Sequence, residues 1–194
     1  MNIIVMKFGG TSVANVSRIK EVAKKVSKSS KNNKIVVVLS AMSGVTNTLQ
    51  SYVNEIDPSP SKEIDLIMTS GEQVTIGLLS MVLNKQGVKS IPLLGWQIPI
   101  ITDENYEKSR ILNINNKNIY NYFKEYDVIV LAGFQGVSIN GNITALGRGG
   151  SDTTAVAIAS SLNAERCEIY TDVEGVYITD PNLEPSAKKI DKLL

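Results

Sequence analysis

The chain has 194 residues, 43 % of them hydrophobic and 20 % charged, with 20 Lys and Arg against 19 Asp and Glu. That length suits one domain able to bury roughly 70 % of its unfolded surface, and the near-neutral balance offers neither a basic stripe for nucleic acid nor an acidic tail. Histidine is absent and Cys167 is the single cysteine, which excludes His general bases, Ser-His-Asp and Cys-His pairs, His-ligated metals, disulfide frameworks and Cys-cluster zinc sites.

In chain order, residues 2–8 are rich in β-branched side chains and predict a strand ending at Gly9 and Gly10. A helix follows, with Val13, Val16, Ile19, Val22, Ala23 and Val26 expected on one face. The run 35–39 (IVVVL) is continuously apolar, as a central parallel strand covered on both faces must be. After a hydroxyl-rich turn over 40–46, a helix carries Leu49, Tyr52, Val53 and Ile56 and is broken by DPSPS at 57–61. A long helical stretch over 63–85 has a break expected at Ser70 and Gly71, and 88–94 reads as a strand. Between 95 and 118 only 110–114 reads as a strand; a short helix is expected over 119–123, a buried strand over 127–132, and a hairpin over 137–144 turning at Asn140 and Gly141. An Ala-rich helix over 152–162 and a strand over 167–171 complete the alternation.

Alternating strands and helices predict an α/β fold, a three-layer αβα sandwich around a mainly parallel sheet. Ligands in such sheets gather beyond the carboxyl ends of the strands. The apolar run before Gly9 is too brief for a secretory signal, and no segment reads as the roughly 20 apolar residues of a membrane span. A soluble, cytoplasmic protein without membrane or nucleic-acid partners is expected, its chemistry resting on Lys, Arg, carboxylates, hydroxyls and backbone dipoles.

Several clusters fall at strand ends. Lys7, Phe8, Gly9, Gly10, Thr11 and Ser12 combine a cation, close backbone approach and a helix start into an anion cradle; the same residues also suit a plain turn with a solvated lysine. Gly147, Arg148, Gly149, Gly150, Ser151 and Asp152 set an arginine among three glycines before a helix. Ser151 and Asp152 suit N-capping, but capping does not explain the glycines or Arg148, which can grip a carboxylate with two parallel bonds. Thr171, Asp172 and Tyr177, with Asp180 beyond, suit either a nucleotide edge or a solvated acidic turn. Glu72, just after Ser70 and Gly71, is either a capping carboxylate or a partly buried acid that needs a cation. Ser40 and Thr46 can donate to a ligand oxygen or close local turns. Cys167 is expected only to pack.

In this order the motifs KFGGTSV (7–13), SA (40–41) with VTN (45–47), TSGE (69–72), AGFQG (132–136), LGRGGSDTTA (146–155) and TDVEGVY (171–177) with DP (180–181) resemble the amino-acid kinase superfamily and, within it, the aspartate kinases. The resemblance runs over almost the whole chain. It implies transfer of the γ-phosphoryl group of ATP to the side-chain carboxylate of L-aspartate, giving 4-phospho-L-aspartate on the route to lysine, methionine and threonine. It implies Lys7 on the transferring phosphate and Asp152 organising the lysine or the magnesium as the catalytic pair. Phe8, Gly9, Gly10, Ser12, Thr171, Asp172, Tyr177 and Asp180 would join Lys7 around the nucleotide. Ser40, Thr46, Glu72, Arg148 and Ser151 would hold aspartate. Mg²⁺ would ride mainly on the nucleotide phosphates, with no protein metal site.

Asn182 stands where the family usually has arginine. The resemblance further implies a C-terminal helix, a nucleotide-contacting lysine and regulatory ACT domains beyond this chain. Residues 1–194 are thus expected to be a single catalytic domain, incomplete at the C-terminus and without ACT control, working as a homodimer or with a second chain supplying the missing part. The alternatives are a non-catalytic nucleotide-binding or partner-dependent remnant, and a kinase with another acceptor such as glutamate, N-acetylglutamate or UMP.

Overall fold

The computed structural model describes residues 2–171, 176, 177, 184 and 186–190. In chain order the elements are β1 (Ile3–Phe8), α1 (Val16–Ser29), β2 (Lys34–Leu39), α2 (Val45–Ile56), α3 (Lys62–Met68), α4 (Ser70–Lys85), β3 (Ser90–Leu93), β4 (Ile100–Thr102), β5 (Ile111–Ile114), α5 (Asn116–Tyr122), β6 (Val128–Ala132), β7 (Gln135–Ser138), β8 (Ile143–Ala145), α6 (Gly150–Ser161), β9 (Arg166–Tyr170), β10 (Val176–Tyr177) and β11 (Lys189–Ile190).

Five strands form a parallel sheet in the order β3-β6-β2-β1-β9. Every residue of β1 and β6 is buried, because helices cover both faces and leave no side of the strand for polar groups. Strand alternation sorts the side chains. Ile4, Met6 and Phe8 of β1 join Ile19, Val22 and Val26 of α1 and Ile76, Leu79 and Leu83 of α4 in one core. Ile3 and Val5 join Ile119 of α5 and Ala155 and Ile158 of α6 in the other. Each such aliphatic side chain, fully withdrawn from water, contributes about 1.5–3 kcal/mol before entropy is counted. The three-layer α/β sandwich is therefore the architecture observed.

A second sheet, β5-β4-β7-β8, packs beside it. The expected hairpin is β7–β8 and the expected strand near 110–114 is β5. β4 escapes the sequence pattern: its three residues form a strand because β5 and β7 flank them.

Two helical expectations change. Val16 is the first residue of α1 and is 50 % exposed, while Val13 belongs to a separate 3-10 turn over Gly10–Val13. The true start of α1 is capped by Asn15, whose side chain accepts the Arg18 N–H at 3.0 Å. On α2 only Val53 is buried; Tyr52 is exposed and Ile56 is 86 % exposed, since α2 packs mainly on α3 through a small cluster with Ile64 and Met68. The break in the long helical stretch falls at Thr69, whose hydroxyl donates to the Asp65 carbonyl at 2.7 Å. By length and composition Lys62–Lys85 is apolar enough to cross a membrane, which the sequence reading did not register. In the fold this stretch is half buried within the protein and carries two buried acids, Asp65 and Glu72.

The carboxyl ends of β1, β2 and β6 open onto one edge. Ser40 N–H donates to the Phe8 carbonyl at 3.2 Å and Gly133 N–H to the Leu39 carbonyl at 2.9 Å. These bonds tie the three following loops together.

Candidate active site

Lys7 shares a strand face with Ile3 and Val5, so the alternation that buries those two aims the lysine toward α6. Its ammonium lies 2.7 Å from Asp152 Oδ1, as an ion pair off the line of a hydrogen bond, and Lys7 is only 8 % exposed. A methyl group placed on Gly9 would touch that ammonium at 3.4 Å, so the glycine backbone lies directly beside the charge. One on Gly10 would meet the Ala41 carbonyl at 3.0 Å. The glycine turn therefore packs against the loop after β2. It leads into the 3-10 turn and not, as the sequence implied, directly into α1.

The 147–150 turn uses its glycines for conformation and contact. Gly147 and Gly149 sit at φ 77° and 73°, in the left-handed region that favours glycine. Gly149 occupies the N-cap of α6, and no side chain caps it. Ser151 and Asp152 lie inside the first helical turn, so the capping role considered for them is not what they perform. Arg148 is exposed, with no ion-pair partner among the described residues. Gly133 admits α6 to the end of β6, since a methyl there would come 2.7 Å from Ser151 Oγ.

Glu72 stands in the first turn of α4, only 4 % exposed. Oε1 accepts the Ala41 N–H at 3.0 Å, whereas Oε2 is buried without a partner. Burial pushes its pKa up to about 7, against the opposing pull of the Ala41 N–H. Of the two sequence readings, the acid that needs a cation matches this geometry. Gly71 makes the approach feasible: a methyl there would lie 2.8 Å from Ala41 Cβ.

Lys7, Ser40, Thr46, Glu72, Arg148, Ser151 and Asp152 line one cavity of about 250 Å³. All seven residues expected to hold aspartate or drive the transfer thus meet in one place. Phe134 joins them and was not singled out in the sequence. It occupies a left-handed backbone position, φ 69°, which is unusual for an aromatic residue. The Thr154 hydroxyl accepts its N–H at 3.1 Å. The sequence sign was an aromatic residue immediately after a buried strand and a glycine.

The residues expected around the nucleotide divide. Phe8, Ser12 and Thr171 line a second cavity of about 170 Å³ together with Arg18, Lys25 and Tyr170. Phe8 is buried there, its ring stacked on Tyr170 at 4.4 Å between centroids, so that ring serves packing. Lys25 lies over the other partner of that stack, 4.9 Å from the Tyr170 ring centroid. Asp172 and Asp180 lie outside the described residues, as does the side chain of Tyr177; the Tyr177 backbone pairs with Lys189.

The site holds two cations, Lys7 and Arg148, and two acids, Glu72 and Asp152. Such a set can bind a small molecule bearing both signs of charge beside an anion. The chain is similar over its full length to the aspartokinase of Pseudomonas aeruginosa, at 53 % identity over 195 residues, and covers 47 % of that relative. Among solved structures it is similar to the aspartate kinase from Synechocystis, at 44 % identity and a TM-score of 0.77, covering 95 % of this chain and 31 % of that one. It is also similar to E. coli aspartokinase III in complex with aspartate and ADP, at 27 % identity and a TM-score of 0.82, covering 98 % of this chain and 54 % of that one. The chain spans about half the length of the curated relatives it matches. The model of the amino acid kinase family matches residues 2–193, and the chain belongs to that family.

Proposed function

We propose that this chain is the catalytic domain of an aspartate kinase, transferring the γ-phosphoryl group of MgATP to the side-chain carboxylate of L-aspartate. The observation that carries the reading is the buried, unpartnered Oε2 of Glu72, in the same cavity as Lys7 and Arg148. A lone buried carboxylate oxygen is costly unless a cation completes it. The α-ammonium of an amino acid is such a cation, and Arg148 is placed for the α-carboxylate of the same molecule. Resemblance to relatives named aspartokinase, one of them solved with aspartate and ADP, supports aspartate and ATP as the pair.

The chemistry asks for no proton shuttle. A free aspartate side chain has a pKa of about 3.9 and is ionised at pH 7. Its carboxylate oxygen attacks Pγ, the bond from Pγ to the β,γ-bridging oxygen breaks, and ADP leaves carrying that electron pair. No proton moves, which suits a chain without histidine. The obstacle is repulsion between two anions. Lys7, held by Asp152, neutralises charge growing on the transferring group. The backbone at Gly9 and Gly10 borders the same path. Magnesium arrives with the nucleotide as part of the substrate. Ser40, Thr46 and Ser151 supply hydroxyls to the acceptor, and Thr171, Asp172, Tyr177 and Asp180 are assigned to the nucleotide side.

A coupled assay for ADP release tests this. Aspartate is expected to stimulate release and N-acetylaspartate, which has no ammonium for Glu72, is not. Lys7→Ala is expected to lower kcat about a hundred- to a thousandfold. ADP release indifferent to aspartate in a folded sample would overturn the reading.

A further inference from the structure

We propose that Asp65, a residue outside the cavity, is the positioning residue of the Arg148 turn. This rests on the reading of Arg148 as the grip for the substrate α-carboxylate. Asp65 lies on α3 with no solvent exposure. Its Oδ1 accepts the Glu107 N–H at 2.8 Å and its Oδ2 accepts the Ala145 N–H at 2.7 Å. One carboxylate thereby joins three segments that are far apart in sequence: α3, the 103–109 loop and the end of β8.

The turn that bears Arg148 begins where β8 ends. Ala145 also accepts the Ser109 N–H through its carbonyl at 2.9 Å, so the 103–109 loop and the turn are bonded twice around Asp65. Glu107 is in the left-handed region, φ 63°, a conformation that turns its N–H toward Asp65 only at a backbone cost. Gly147 then fits against Glu107 so closely that a methyl group on it would stand 2.9 Å from the Glu107 carbonyl oxygen. On its other side the turn is held by the Leu146 N–H donating to the Phe134 carbonyl at 2.9 Å. Arg148 has no ion pair of its own among the described residues to fix it. Its placement comes from the backbone beneath it, and Asp65 is the charged group that fastens that backbone.

The amide side chain of Asn cannot replace this carboxylate, because one of its ends is a donor and would face an N–H. Backbone hydrogen exchange on Asp65→Asn needs no substrate. Faster exchange is expected at Glu107, at Ala145 and through 146–150, with β1, β2 and β6 unchanged. Exchange at 146–150 like that of the unaltered protein would overturn the proposal.

In kinetics, Asp65→Asn is expected to raise the aspartate KM about tenfold and to leave the ATP KM within about twofold. In an Arg148→Ala background the same substitution should add nothing further. Equal rises in both KM values, or additive effects with Arg148→Ala, would show general loosening and defeat the assignment. Should Asp65→Asn not fold, Asp65→Ser, whose hydroxyl oxygen can accept only one of the two N–H groups, takes its place. It must then speed exchange at the same two amides and raise the aspartate KM, or the proposal fails. An unaltered protein that ignores aspartate would defeat the functional reading, and the exchange arm would still decide the clamp.

Discussion

Asp65 and Glu72 are both buried carboxylates on the helical stretch that breaks at Thr69, and each accepts backbone N–H from segments distant in sequence. Burial pushes both upward, Asp65 to about 6 and Glu72 to about 7. They differ in what remains. Both oxygens of Asp65 are taken by amides, so the protein itself completes that acid. Glu72 keeps one oxygen buried and empty-handed. The difference teaches how to separate a fastening acid from a binding acid: count the lone pairs the fold leaves unmet, because an unmet buried charge is costly until a proton or a ligand meets it.

The sharpest way to break this distinction is Glu72→Gln. The side-chain oxygen of Gln can keep the Ala41 bond while the charge is lost. The aspartate KM is expected to rise about a hundredfold, as when one partner of a buried charge pair is removed. The ATP KM should stay within about twofold. Steady-state kinetics with each substrate varied in turn would show it. An unchanged aspartate KM would place the ammonium elsewhere.

Next in size is a difference in stability. The Glu72 pKa is raised in the fold from 4.5 to about 7, so the folded state holds the proton more tightly. Its favourable contribution is full below pH 4.5 and is lost as pH rises through 7. At pH 8 without substrate, Glu72→Gln should therefore stabilise the protein by about 3 kcal/mol. Asp65→Asn relieves a similar burial cost but leaves an N–H facing an amino group, an opposing penalty of about 1–3 kcal/mol. Its net gain should be smaller, between about zero and 2 kcal/mol. Denaturant melts of both variants at pH 8 compare them directly; equal stabilisation would erase the distinction.

The two acids also show what the sequence could and could not reveal. Glu72 was readable because it follows the Ser70 and Gly71 pair within an apolar helical stretch; the pair was expected to break the helix, whereas Gly71 lies inside α4 and lets Ala41 approach. Lys7 was readable because a cation at the end of a buried strand has one face to point from. Asp65 offered no such sign. An acid within an apolar helix is usually its solvated side, and its partners at Glu107 and Ala145 become neighbours only after folding. β4 was hidden for the same reason, being a strand only through β5 and β7. Periodicity placed Val16 on the apolar face of α1 and set Tyr52 and Ile56 along α2 with Val53, yet which residues are covered depends on where a neighbour arrives. Local pattern thus reads the central sheet and its glycine turns well, and long-range pairing poorly.

The smallest expected effect concerns pH and binding. If an ammonium completes Glu72, aspartate binds only the ionised acid. Below a pKa of about 7 the proton must leave before aspartate enters. The aspartate KM should then climb as pH falls below about 7, approaching tenfold per unit, and level off above it. Free aspartate keeps its own charges across pH 5.5–8, with its side-chain pKa about 3.9. The slope therefore reports the protein. In Glu72→Gln the same profile should be flat from pH 8 to about 6.5, though its KM is higher throughout, with only a later rise as Asp65 takes up its proton near 6. In Asp65→Asn the slope should persist, because Glu72 is untouched. A slope surviving in Glu72→Gln and vanishing in Asp65→Asn would exchange the roles of the two acids.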